Sequence, residues 1–139
     1  MQVAWSSRNQ LLNSHMLEAP LLQVARPDGR SLRTLRRGQS DEAFVNAKWS
    51  PDGRRIIYEH WTACVGSKCS GSEGIEIADL RGKVLRSLGD GEYPTWSPSG
   101  TRIAYASADG VFIRSLANGS TRQIFKGGLE TAGIGWQAR

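Results

Sequence analysis

The chain has 139 residues, enough for one ordinary domain with a real core. Its 16 glycines, five tryptophans and short apolar runs point to an all-β protein with many turns, and no stretch approaches the ~18 consecutive apolar residues of a membrane-spanning helix, so membrane insertion is not expected. The net charge of +5 is spread along the sequence, with only Arg36-Arg37 and Arg54-Arg55 adjacent; it reads as a solvated, mildly basic surface, and nucleic-acid binding is not expected.

The first strands are predicted near residues 2–6, 10–14, 20–25 and 30–36. Met1 is followed by Gln, Val, Ala, Trp, Ser, Ser and Arg, without the basic start and apolar run of a signal peptide, which a mature secreted chain would lack as well. A second group of strands is predicted near 44–50, 54–59, 74–80 and 83–88, and a third near 92–97, 101–107, 110–116 and 120–126. The final strand, near 130–137, carries Trp136.

These groups are copies of one unit. Trp5, Trp49, Trp96 and Trp136 are spaced by 44, 47 and 40 residues. From Trp49 the chain reads WSPDGRRIIY and from Trp96 WSPSGTRIAY, identical at seven of ten positions, whereas the copy from Trp5, WSSRNQLLNS, has decayed. In Ser-Pro-Asp-Gly the proline presets φ, the aspartate can bond the backbone locally and the glycine accepts φ > 0, so each copy turns between two strands. A second block follows each first: Val24, Ile77 and Ile113 each stand 11 residues before Leu35, Leu88 and Ile124, across a glycine-containing turn. The middle copy is longer, and its extra stretch, with both cysteines and the small residues Ser67 to Gly74, reads as a loop insertion between two strands.

Four strands per repeat of this length is the unit of a β-propeller. The predicted fold is all-β: a partial β-propeller of about three four-stranded antiparallel blades plus the first strand of a fourth. Residues 1–139 form one segment, with blades at about 2–36, 44–88 and 92–126 and a starting strand at 130–137. The repeated tryptophans are expected to fill the space between blades, with Tyr58, Tyr105 and Phe112 also in the core; Asp28 and Asp52 are expected as turn residues.

WSPDGRRIIY, WSPSGTRIAY and the preceding Tyr93-Pro94-Thr95 resemble the signature of TolB-like (WD-type) propeller repeats, strongly over residues 44 to 126 and weakly before residue 20. The second blocks, Ile77-Ala78-Asp79-Leu80 and Ile113-Arg114-Ser115-Leu116, resemble the hairpin that follows in that family. The resemblance implies a bacterial periplasmic or cell-envelope location and binding to a protein partner. Family members close rings of six or more blades, so this chain is either a piece of a longer propeller or one half of a homodimer that completes a six-bladed ring.

Several functions are disfavoured by the residues themselves. The hydrolase motif Gly-x-Ser-x-Gly is absent, since Ser72 follows Gly71 directly and Lys68 stands two after Gly66. A Ser-His-Asp set would need His15 or His60, and neither has a recognisable context. No cofactor fingerprint occurs, and no catalytic, cofactor-binding or metal residues are assigned. Cys64 and Cys69, in a C-x4-C spacing, have at most His60 as a third ligand, too few for zinc; they read as a disulfide in an oxidising compartment or as two free thiols in the cytosol. The expectation is a non-catalytic protein-interaction or scaffolding module, with the Cys64–Cys69 loop as the place to seek a partner site. The alternative is the non-catalytic propeller that accompanies the peptidase domain of a prolyl oligopeptidase-like enzyme.

Overall fold

The computed structural model describes residues 2–8, 10–15, 19–127 and 134–136, which form three four-stranded antiparallel sheets. The first holds β1 (Gln2–Trp5), β2 (Leu11–His15), β3 (Leu21–Ala25) and β4 (Arg33–Arg37). The second holds β5 (Ala43–Trp49), β6 (Arg55–Val65), β7 (Lys68–Asp79) and β8 (Val84–Gly89). The third holds β9 (Glu92–Trp96), β10 (Arg102–Ser107), β11 (Gly110–Ser115) and β12 (Thr121–Lys126). Each sheet is a meander in chain order, and β5 packs against both β1 and β9, so the first strands line up as the inner edge of three blades of a partial propeller.

Turn chemistry sets the strand ends. In the second blade Gly53 N donates to Ser50 O at 2.9 Å and Arg54 N to Asp52 Oδ1 at 3.0 Å, while Gly53 adopts φ +63°. The third blade repeats the turn, with Gly100 N on Ser97 O at 2.8 Å and Gly100 at φ +68°. Asp28 likewise accepts from Arg30 N at 2.9 Å.

The core lies between blades rather than within one. Leu12, Leu22, Val24 and Leu35 of the first blade meet Phe44, Trp49, Ile56 and Tyr58 of the second. Ile57, Ile75, Ile77 and Leu88 of the second meet Trp96, Ile103 and Leu116 of the third. Ile56 and Ile57 therefore face opposite neighbours, which is why an unbroken apolar pair follows each turn. Each fully buried aliphatic side chain contributes about 1.5–3 kcal/mol, so each interface is a strong one.

The second and third blades each direct their repeated tryptophan, Trp49 and Trp96, at the blade before, and Trp49 Nε1 also donates to Ala4 O at 3.3 Å. This overturns the core assignment of Trp5, which is 60% exposed: its side of the first blade has no described sheet against it. Phe112 is half-buried, stacked on Tyr105 at 5.7 Å.

The middle insertion is not a loop. β6 and β7 stay paired from Arg55↔Asp79 to Val65↔Lys68, turning only at Gly66-Ser67. Glu59 to Val65 keep strand-forming residues beyond Tyr58, and Lys68 to Gly74 run back against them with one register shift at His60/Trp61, so the ladder continues where the third blade turns at Ala108-Asp109. Of the starting strand expected at 130–137, residues 130–133 and 137 lie outside the described residues; residues 134–136 belong to no strand, and Ile134 O accepts from Lys48 Nζ at 3.4 Å.

Candidate functional site

The extended hairpin is the feature that separates the second blade from its neighbours. β6 and β7 have 11 and 12 residues, against six each for β10 and β11. Its end rises beside the segment joining the first two blades, and Cys64 N donates to Asp41 O at 2.8 Å. Cys64 and Cys69 face each other in register and form a disulfide, resolving the two readings of the C-x4-C spacing. The tip residue Val65 is 84% exposed. On the side facing the third blade, Trp61, Ala43, Val45, Ser67 and Cys69 line a hollow of about 260 Å³.

Two buried polar joints hold this arm upright. Glu59 is 2% exposed, and its carboxylate has three donors: Asn46 Nδ2 and Tyr93 N, both at 2.6 Å to Oε1, and Trp61 Nε1 at 2.9 Å to Oε2. Tyr93 and Asn46 both stand three residues before a repeated tryptophan, and both have φ +53° at a bulge that leaves their N–H without a ladder partner. Each N–H finds an acceptor in the preceding blade: Glu59 for Tyr93, and Gln2 Oε1 at 2.5 Å for Asn46. Beside this joint, burial lowers the Lys48 pKa, partly offset by the Glu59 charge.

The second joint sits on the other side of the arm, against the first blade. Tyr58 donates its hydroxyl to Glu76 Oε2 at 2.6 Å, His60 Nδ1 lies 3.5 Å from Glu76 Oε1, and His60 Nε2 lies 3.1 Å from Glu42 Oε1. Arg36 Nη2 stands 3.8 Å from Glu76 Oε2, and its guanidinium lies 5.5 Å from the Phe44 ring centroid. The Glu76 hydrogen bond and charge, helped by Glu42, raise the His60 pKa over the opposing effect of burial. Burial alone would raise the Glu76 pKa, but its bonds to His60 and Tyr58 and the Arg36 charge outweigh it and leave it lowered. Burial, then Glu76, pushes the Tyr58 hydroxyl far up, so it stays a donor.

With both ring nitrogens of His60 facing carboxylates, the imidazolium fits as a double donor, a structural role rather than that of a general base. Among the described residues no three His, Cys, Asp or Glu groups converge as a metal site. The sequence reading found the cysteines but missed Trp61, Glu59, Glu76, Glu42 and Arg36. One signal was available: Cys64 and Cys69 lie symmetrically about Gly66-Ser67, the spacing of a cross-strand pair around a two-residue turn.

No known family profile matches the chain. The chain is 37% identical over 103 residues to the Tol-Pal system protein TolB of Alcanivorax borkumensis, covering 70% of this chain and 22% of that protein. It is 30% identical over 96 residues to the TolB of Francisella tularensis subsp. holarctica, covering 62% of this chain and 20% of that one. The chain thus spans about a fifth of the length of the curated relatives it matches. Among solved structures it superposes on TolB from Acinetobacter baumannii with a TM-score of 0.67 at 18% identity, over 92% of this chain and 33% of that one. An oligogalacturonate lyase in complex with manganese gives a TM-score of 0.61 at 16% identity, over 93% of this chain and 36% of that one, a likeness of fold. With the Trp-Ser-Pro-x-Gly repeats, the three four-stranded blades and the identity to TolB together, the chain belongs to the TolB-like β-propeller repeat family.

Proposed function

We propose that this chain is a non-catalytic protein-interaction segment of a propeller, and that the β6–β7 arm is where it captures a partner. The observation that carries this is the arm itself: an exposed tip, locked by a disulfide and braced by two buried polar joints, beside a hollow edged by a half-buried tryptophan. A rigid, partly apolar projection loses little conformational entropy when a partner binds it. TolB of the Tol-Pal system, by its name a component of a protein assembly, supports a protein as the partner. Replacing residues 62–71 by a two-residue Asn-Gly turn should leave the three sheets folded, by circular dichroism, and weaken partner capture in a pull-down from an extract of the source cell. Capture at the wild-type level would sink the assignment.

We further propose that more blades complete the ring, from a second copy or from additional chain. Val3 and Trp5 at one end, and Ile124 and Phe125 at the other, are 48–60% exposed. These ends correspond to surfaces the interior interfaces bury: Trp5 aligns with Trp49 and Trp96, and Ile124 with Leu35 and Leu88. Light scattering on a sizing column separates the cases. A particle of twice 15.2 kDa supports closure by a second copy, and a monomer at high concentration rules it out.

A further inference from the structure

The fold sorts charges that the sequence scatters. In each blade the first-to-second and third-to-fourth strand turns lie at one end, and the second-to-third turns and blade connections at the other. The turns at the first end touch from blade to blade: Ser7 Oγ donates to Pro51 O at 2.8 Å, Arg8 Nε to Asp52 O at 2.9 Å, and Arg55 Nη2 to Gly100 O at 3.4 Å. They therefore make one continuous face. Among the described residues its turns, at 6–10, 26–33, 50–55, 79–83, 97–102 and 116–121, carry nine basic residues against three acidic ones. Those three, Asp28, Asp52 and Asp79, are all turned onto backbone N–H groups of their own turns. The opposite end reverses the balance, with Asp41, Glu42, Glu73, Asp90, Glu92 and Asp109 against Arg37, Lys68 and Lys126.

We infer that the basic face docks on the surface of an anionic phospholipid bilayer. Eight of its nine basic residues are shared equally by the first two blades and the ninth, Arg102, stands on the third, a spread over several turns that suits a broad planar partner. Among the described residues, Arg102 and Arg122 line one hollow and Arg26 and Arg33 a separate one, rather than sharing the single basic groove that would track a polynucleotide. The described turns hold no aromatic side chain on which a base could stack. They do hold Leu32, 60% exposed between Arg30 and Arg33, an apolar side chain placed to enter the headgroup layer. This surface lies at the opposite end from the β6–β7 arm, so the inference stands apart from the partner reading.

The test is co-sedimentation of the intact chain with vesicles of phosphatidylcholine alone or with about a third phosphatidylglycerol, at rising salt. Binding is expected only to the anionic vesicles and should fall steeply with salt. Removing three charges from the face, Arg30→Ser, Arg54→Ser and Lys83→Ser together, should weaken binding about a hundredfold, since each basic residue near the surface is worth about fivefold. Removing three from the other end, Arg37→Ser, Lys68→Ser and Lys126→Ser, should weaken it less than about threefold. Circular dichroism checks that both variants fold. Equal losses in the two variants, equal binding to neutral vesicles, or capture of duplex DNA without capture of vesicles would each overturn the inference.

Discussion

Removing the Glu59 carboxylate should unlock the joint between the second and third blades. In Glu59→Ala, Asn46 Nδ2, Tyr93 N and Trp61 Nε1 lose their common acceptor in a site only 2% exposed. Each hydrogen bond to a charged group contributes about 1.5–3 kcal/mol net, and these three share one carboxylate and are not additive, so the loss should be about 3–5 kcal/mol. For a chain of this size that is a fall in Tm of roughly 10–20 °C, read by scanning calorimetry or thermal circular dichroism. Glu59→Gln is the sharper probe. Its one carbonyl can keep the two donors at the Oε1 position, but its NH2 then meets the Trp61 indole N–H, donor against donor, at a cost of about 1–2 kcal/mol. Trp61→Phe removes that indole donor, so in its background Glu59→Gln should cost under about 0.5 kcal/mol. The reasoning fails if Glu59→Gln costs the same with and without the indole, or if Glu59→Ala costs less than about 1 kcal/mol.

Trp96→Ala should cost about 3–5 kcal/mol and Trp5→Ala roughly 1 kcal/mol or less, because the first is 5% exposed and the second 60%; equal urea midpoints for the two variants would contradict the packing direction assigned to the blades. The His60 pKa is raised above 6.5, so its stabilisation is full below about that pH and is lost as pH climbs through the folded value; the Glu76 pKa is lowered below 4.5, so its share is full above that pH and fades as pH falls through its folded value. Urea midpoints should therefore be highest between about pH 4.5 and 6.5, and His60→Gln should flatten the alkaline side; an unchanged alkaline slope in that variant would refute the assignment. Replacing Cys64 and Cys69 together by serine should cost about 2 kcal/mol, as expected for so short a loop, and should speed hydrogen exchange in the β6–β7 arm while the third blade stays protected.

The blade pattern was legible because it rests on local chemistry repeated in tandem. Trp-Ser-Pro-x-Gly dictates a turn wherever it falls, and the 11-residue interval of the second block fixes a hairpin. Neighbour relations were harder to read. Trp5 keeps only the Trp-Ser start of the motif that surrounds Trp96, and its exposure depends on what lies on the far side of the sheet, which no local pattern encodes. The middle insertion departs from the expected loop for a related reason: glycine and serine suggest a loop, but Gly71 and Ser72 are held in strand pairing by Thr62 and Trp61 across the ladder. The two polar joints draw on residues far apart in sequence, such as Arg36 and Glu76, 40 positions apart, or Asn46 and Tyr93, 47 apart, brought together only by the stacking of blades. The charge asymmetry escaped because it belongs to turn geometry, not to sequence runs.

The uniform direction in which the tryptophans point has a consequence for assembly. An arc whose every blade leans on its predecessor has a head and a tail that differ in shape, so neither end can mate with its own copy in another molecule. Association through these ends is therefore heterologous, and such contacts have two outcomes: the rotation closes into a ring, or it does not and the contact propagates as a filament. Substitutions that change the angle between two blades by a few degrees, without loosening either, would select between a finite particle and an endless one.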